Sequence, residues 1–364
     1  MAMAKKKQSN VEYDPHRFSY KWYLKDGYPA PGIEAHGMKV FGTFICGGGS
    51  SMGYKLAGYH HLGGVELDPK IAAVYEQNHH PEHLYNMDIR DFNKLEDLPA
   101  ELYQLDLLDG SPPCSTFSTA GARENGWGKE KKFAEGQKLQ TLDDLVFVYC
   151  DTIAKLMPKC CLLENVSGLV KGNAKSYAKA IMQRLDDIGY DAQVFLLNGA
   201  TMGVPQARER VFFVGHRKEY DYLPKLKLQF NEEPILFGEF AQDEGGNPIT
   251  DRMMQLWNKR KPTDNTFAHI NLRVNGDGSL FTNVIAHKER VLATLCANSA
   301  RHAHYDVPMY MTNDEMLQGS SFPMDYDWGG QDSVLQFLTG MSVPPLMTAQ
   351  IAYQIYKQWL SRIR

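Results

Sequence analysis

Between Met38 and Gly215, short apolar runs rich in β-branched and aromatic residues alternate with stretches of helical periodicity. Few architectures accept that order. Strands separated by helices form a mostly parallel sheet covered on both faces, because each crossover returns the chain to the same end of the sheet. Residues 39–45, 61–67, 105–108, 160–163, 191–198 and 210–215 read as strands, and residues 51–57, 69–78, 142–157 and 176–188 as helices. In such sheets ligands bind beyond the carboxyl ends of the strands. The residues just after each apolar run therefore carry the functional signal.

The flanks read differently. Residues 1–37 hold Pro15, Pro29 and Pro31 and read as an irregular arm. Residues 38–215 form the α/β domain. Regularity decays over residues 216–300, where Gly245-Gly246-Asn247-Pro248 and Asn275-Gly276-Asp277-Gly278 mark turns, and a second, smaller domain is expected there. Residues 301–364 become regular again and end in a helix over 346–363. Hydrophobic residues make up 43% of the 364, enough for a sizeable core. No apolar run approaches the roughly 18 residues of a membrane span, and the basic start has no apolar stretch after it, which excludes a secretory leader. Six cysteines without a C-x-x-C pair argue against zinc and for a reducing compartment. The net charge of −4 does not announce a nucleic-acid binder, but a local basic face from Arg252, Lys259, Arg260, Lys261, Arg273, Lys288, Arg290 and Arg301 would suffice.

Four constellations stand out, most of them just after a predicted strand. Cys46-Gly47-Gly48-Gly49 lets backbone approach a ligand closely, and Glu66 ends the next strand, where an acid can bind ribose hydroxyls. Ser111-Pro112-Pro113-Cys114 places a thiol on a loop stiffened by two prolines, and cysteine is a strong nucleophile when its pKa is lowered. Glu164-Asn165-Val166 puts a carboxyl over the same crevice, and a nucleophile paired with a proton donor suits attack on an electron-poor ring. Gln206, Arg208 and Arg210 alternate along an extended segment, which would align one amide and two guanidiniums on one face toward a base edge or phosphate.

In this order and spacing, these residues resemble the DNA cytosine-5 methyltransferase family of bacterial or phage type. The resemblance implies a Rossmann-like, doubly wound class I S-adenosylmethionine methyltransferase sheet with a smaller target-recognition domain. Phe44, Gly47, Gly48 and Gly49 resemble the glycine motif, with Gly53 and Gly58 continuing it. Glu66 and Leu67 resemble the acidic motif, Asp88 and Ile89 the adenine motif, and Ser342 and Val343 the terminal motif that closes the cofactor pocket. Pro112, Cys114, Glu164, Asn165 and Arg208 match the catalytic positions. Ser115, Gln206 and Arg210 match base or DNA contacts. The stretch from Leu317 to Pro323 resembles the family's "RLQGFP" segment with two serines inserted.

The mechanism this resemblance implies is addition of Cys114 to carbon 6 of a cytosine swung out of the duplex. Glu164 acts on ring nitrogen 3, Arg208 holds the base carbonyl, and carbon 5 accepts the methyl group. Residues 115–137, rich in glycine and charge, have the composition of a loop that closes over DNA. Residues 216–300 occupy the target-recognition region, and their length favours duplex DNA over tRNA. The implied cofactor is S-adenosylmethionine. The implied partners are double-stranded DNA and, in a restriction-modification setting, a cognate restriction endonuclease; the implied state is a cytoplasmic monomer. No metal is implied. Two positions depart from the pattern: Cys46 stands where the first glycine is expected and Met341 where an asparagine is expected. Both border the methionine end of the cofactor pocket; the plain reading is neutral drift in a working pocket, and the sharper alternative is an altered cofactor preference.

Overall fold

A computed structural model describes residues 12–113, 144–171, 175–297 and 302–363. Cys114, Ser115, the 115–137 loop and Arg301 lie outside the described residues.

The central sheet is built from β1 (Lys39–Thr43), β2 (His60–Glu66), β3 (His83–Asn86), β4 (Leu107–Gly110), β5 (Cys160–Val166), β6 (Tyr190–Asn198) and, after the two-residue β7 (Gln206–Ala207), β8 (Glu209–Arg217). Its order is β3-β2-β1-β4-β5-β8-β6. The first five strands pair in parallel, and β8 inserts antiparallel between β5 and β6. β4 is buried along its whole length and β5 at every residue but its last. That is why both read as continuous apolar runs rather than as alternation.

Between the strands run α1 (Gly49–Leu56), α2 (Pro69–His79), the single turn α3 (Ile89–Phe92), α4 (Leu145–Leu156) and α5 (Lys175–Ile188). Local chemistry sets their ends. Asp68 caps α2 by accepting from the amides of Lys70 and Ile71, with Pro69 in the first turn where no donor is missed. Two packed layers flank the sheet. One holds Val40, Leu107, Leu162, Phe212 and α1. The other holds Phe41, Leu108, Leu163, Phe213, α4 and α5.

The arm does not hang free from residue 12 onward. Phe18, Trp22 and Ala30 are buried in the first layer, and the Trp22 indole donates to the carbonyl of Ser321 at 3.0 Å. The same layer takes α8 (Asn313–Gly319), α9 (Asp332–Met341) and α10 (Pro345–Gln358). The expected helix over 346–363 is thus α10 followed by a short 3-10 turn, Leu360–Arg362.

The smaller unit begins later than residue 216. Leu223, Leu226 and Leu228 pack into the main core, and Trp359 donates to the Pro224 carbonyl. Separate clusters start at Ile235 and run through Met311. They are carried by α6 (Asp251–Trp257), α7 (Phe267–Asn275) and the short strands β9 (Ile285–Ala286), β10 (Leu292–Ala293) and β11 (Ala303–His304). Much of the basic side chain expected on its face is spent internally. Arg260 lies 3.2 Å over the Trp257 ring, Arg273 pairs with Asp264, and Lys288 pairs with Asp243.

Candidate active site

The loop after β1 is wound through left-handed positions: Phe44 at φ 56, Cys46 at φ 45 and Gly48 at φ 77. A side chain at the first two is strained, and Cys46 holds its conformation where a glycine would carry no penalty. The carboxylate of Glu66, at the end of β2, accepts from the amides of Cys46 and Asp68, both at 2.9 Å, and so fixes this loop to the neighbouring strand. Tyr326 donates to the Gly47 carbonyl at 2.8 Å from the C-terminal segment.

The glycines serve packing as much as ligand approach. An added Cβ at Gly47 would meet Leu338 at 2.8 Å, at Gly48 the His79 ring at 2.1 Å, and at Gly49 the Val343 carbonyl at 2.0 Å. The motif thus seats α1 against α2 and the C-terminal helices.

Phe44 packs with Ile89, Leu145 and Val148 into a small apolar wall, while Asp88 caps α3 beside it. Asn86 holds the Glu66 and Leu67 carbonyls. The Ser342 hydroxyl and Asp68 Oδ2 are buried with no hydrogen-bond partner among the described residues. An apolar wall, a carboxylate with spare lone pairs and orphaned polar atoms fit a nucleoside cofactor such as S-adenosylmethionine. The departures behave differently from each other. Burial pushes the Cys46 thiol, which lies beside Ser342, up to about 12, so it is protonated and unreactive at neutral pH. Met341 ends α9 with 49% of its surface exposed.

The second half of the crevice is formed by β4, β5 and β8. Glu164 is buried at the end of β5, 3.0 Å from Nε of Arg210 and hydrogen-bonded to Ser111. Burial raises its proton affinity, and Arg210 and then Arg208 pull it back. Asn165 donates to the Pro112 carbonyl at 3.1 Å and accepts from the Val166 amide, which anchors the start of the catalytic loop to β5.

The 206–210 segment is not one unbroken strand. The alternation rule assumes an unbroken strand, but β7 pairs with β10 while β8 pairs with β5 and β6, so the chain turns between them. Gln206 is fully buried, donating to the Gly319 carbonyl and accepting from the Leu295 amide. Arg208, 1% exposed, donates to the carbonyls of Leu295 and Gly340 at 3.1 and 2.8 Å, and burial lowers its pKa to about 9. Of the two arginines, Arg210 is the one seated on Glu164. Through these bonds Gln206 and Arg208 tie together segments far apart in the chain. The two inserted serines also find a place. Ser320 closes α8 by donating to the Met316 and Leu317 carbonyls, and Ser321 accepts from the Leu346 amide.

The sequence model for C-5 cytosine-specific DNA methylase matches residues 38–357. Over 331 residues the chain is 26% identical to the Type II methyltransferase M1.HphI of Haemophilus parahaemolyticus, covering 86% of this chain and 85% of that one. Over 230 residues it is 33% identical to the Type II methyltransferase M.NgoPII of Neisseria gonorrhoeae, covering 62% and 59%. Its fold is similar to that of Spodoptera frugiperda DNMT2, with a TM-score of 0.63 and 15% identity, covering 88% of this chain and 99% of that one. The sheet order, the cofactor loop and the family match agree: the chain belongs to the C-5 cytosine-specific DNA methylases, which use S-adenosylmethionine to methylate carbon 5 of cytosine in DNA.

Proposed function

We propose that Cys114, Glu164 and Arg210 carry the chemistry, with Asn165 and Pro112 holding the catalytic loop. The observation that carries this reading is the buried Glu164 carboxyl, fixed at 3.0 Å by Arg210 next to the Asn165–Pro112 tie. Carbon 5 of cytosine is too weak a nucleophile to be methylated unaided. Addition of the Cys114 thiolate to carbon 6, with a proton held at ring nitrogen 3 by Glu164, makes carbon 5 enamine-like. Loss of the carbon-5 proton then expels the thiolate. Arg210, beside Glu164, is placed to bond the base carbonyl as well. S-adenosylmethionine supplies an electrophilic methyl when bound. Phe44, Glu66, Leu67, Asp88, Ile89, Ser342, Val343 and the glycines Gly47, Gly48 and Gly49 would hold it, Glu66 through its ribose.

Recognition of a short duplex sequence belongs in this reading to the smaller unit, from about Ile235 to Met311, with Ser115 at the catalytic loop. The likeness to Type II methyltransferases favours a restriction-modification setting. A cognate endonuclease, a cytoplasmic site and action as a monomer complete this reading. No helix among the described residues is long and apolar enough to cross a membrane.

Cys114→Ser should abolish methylation while leaving duplex binding intact, and Glu164→Gln should lower the single-turnover rate by about 100-fold or more. Full activity in either variant sinks the assigned role.

A further inference from the structure

Asp109 is a buried carboxyl without a part in the chemistry assigned to Cys114, Glu164 and Arg210. It sits on β4 at 3% exposure, and register pairs it with Leu162 of β5, so it shares a sheet face with Glu164 two residues on. The division of the two cores confirms the parity, since Leu107 and Leu162 lie in the same layer. With strands about 4.8 Å apart and a rise of about 3.3 Å per residue, the two positions are about 8 Å apart. Their surroundings differ. Glu164 faces Arg210, Arg208 and Ser111. Asp109 faces hydroxyls on α1, accepting from Tyr54 at 3.1 Å and bonded to Ser50, with Tyr75 and Tyr149 as further titratable neighbours and Glu164 as the facing charge.

We propose that Asp109 is a positioning residue for the methyl transfer, acting through Glu164: the two buried carboxyls hold one proton between them, and the reaction needs that proton on the pair. Burial, opposed by Tyr54 and Ser50 and reinforced by Glu164, raises the Asp109 pKa to about 7. Such a pair titrates as a unit, and the limb of a pH–rate profile reports the pair rather than either member. Below that limb one carboxyl of the pair keeps a proton. Above it both are charged, and because each charge makes the other carboxyl harder to ionise, the pair keeps its last proton to a higher pH than Glu164 would alone.

This inference rests on the proposed role of Glu164 as proton holder for the base. Its test is the pH profile of the single-turnover rate on duplex DNA at saturating S-adenosylmethionine. Asp109→Asn keeps an acceptor for Tyr54 but cannot become charged. The alkaline limb should move to lower pH by about 1.5 units, the size expected for like charges about 8 Å apart at an effective dielectric of about 20. Activity below the limb should stay near wild type. Tyr54→Phe removes a bond that favours the charged form, so the limb should move the other way, and this variant decides the matter if Asp109→Asn does not fold. A uniform drop at all pH values, or limbs that superimpose on wild type, overturns the proposal. If Glu164→Gln is inactive while Asp109→Asn shows no shift, this inference alone fails. If Glu164→Gln is fully active, the role of Glu164 fails with it.

Discussion

Gly53→Ala sets two physical effects against each other. Gly53 lies inside α1, where alanine is favoured over glycine by about 1 kcal/mol through helix propensity alone. The added methyl, however, would sit 2.4 Å from the Pro345 carbonyl oxygen, 2.5 Å from Thr348 Cβ and 2.8 Å from the Ala349 amide nitrogen. Two of those atoms are backbone of the Pro345–Ala349 stretch of α10, so α10 must move by about an ångström to restore ordinary contact. Overpacking of this kind costs about 1–3 kcal/mol, and a rigid neighbour puts it at the upper end. The net expectation is a loss of about 2 kcal/mol. Urea unfolding should show it as a lower midpoint with an unchanged slope. Gly278→Ala, where the new carbon meets nothing within 4 Å, is the control and should stay within about 0.5 kcal/mol of wild type. A Gly53→Ala protein more stable than wild type would refute the claim that the glycine motif serves α1–α10 packing.

Two further expectations concern buried carboxyls. The folded Asp109 pKa of about 7 lies above its ordinary value of 3.8, so the native state binds the extra proton. Its contribution is present at low pH and lost as pH rises toward and through 7, a swing of about 4 kcal/mol that unfolding from pH 4 to 8 should reveal and Asp109→Asn should flatten. Glu315, 0% exposed, accepts from the Gln242 and Thr312 amides and from His304, joining the smaller unit to α8. Glu315→Ala should destabilise by about 3–5 kcal/mol, and a loss under 1 kcal/mol would show that the junction is held by other contacts.

Most of the sheet was legible because β1, β2, β4, β5 and β8 each bury a run of apolar residues that no helix period explains. β3 was not, since His83, Leu84 and Tyr85 are only half-buried at the sheet edge and Asn86 is exposed. The smaller unit was legible only as irregular: its helices are short and its strands two residues long. Within the site, Glu164, Asn165 and Pro112 stand together as their order suggested. Residue alternation could not reveal that the chain turns between Ala207 and Glu209, which leaves Arg210 rather than Arg208 paired with Glu164. Asp109 carried no motif signal at all. It reads as a strand end, and only the sheet register places it beside Glu164.

Covalent catalysis by Cys114 on cytosine is tested most directly by incubating the full chain with unmethylated duplex DNA and labelled S-adenosylmethionine, then digesting the DNA to nucleosides for mass spectrometry. Label is expected in 5-methyldeoxycytidine with the wild-type chain and nowhere with Cys114→Ser. Label on the exocyclic nitrogen of cytosine or adenine, or methylation by Cys114→Ser at the wild-type rate, would contradict it.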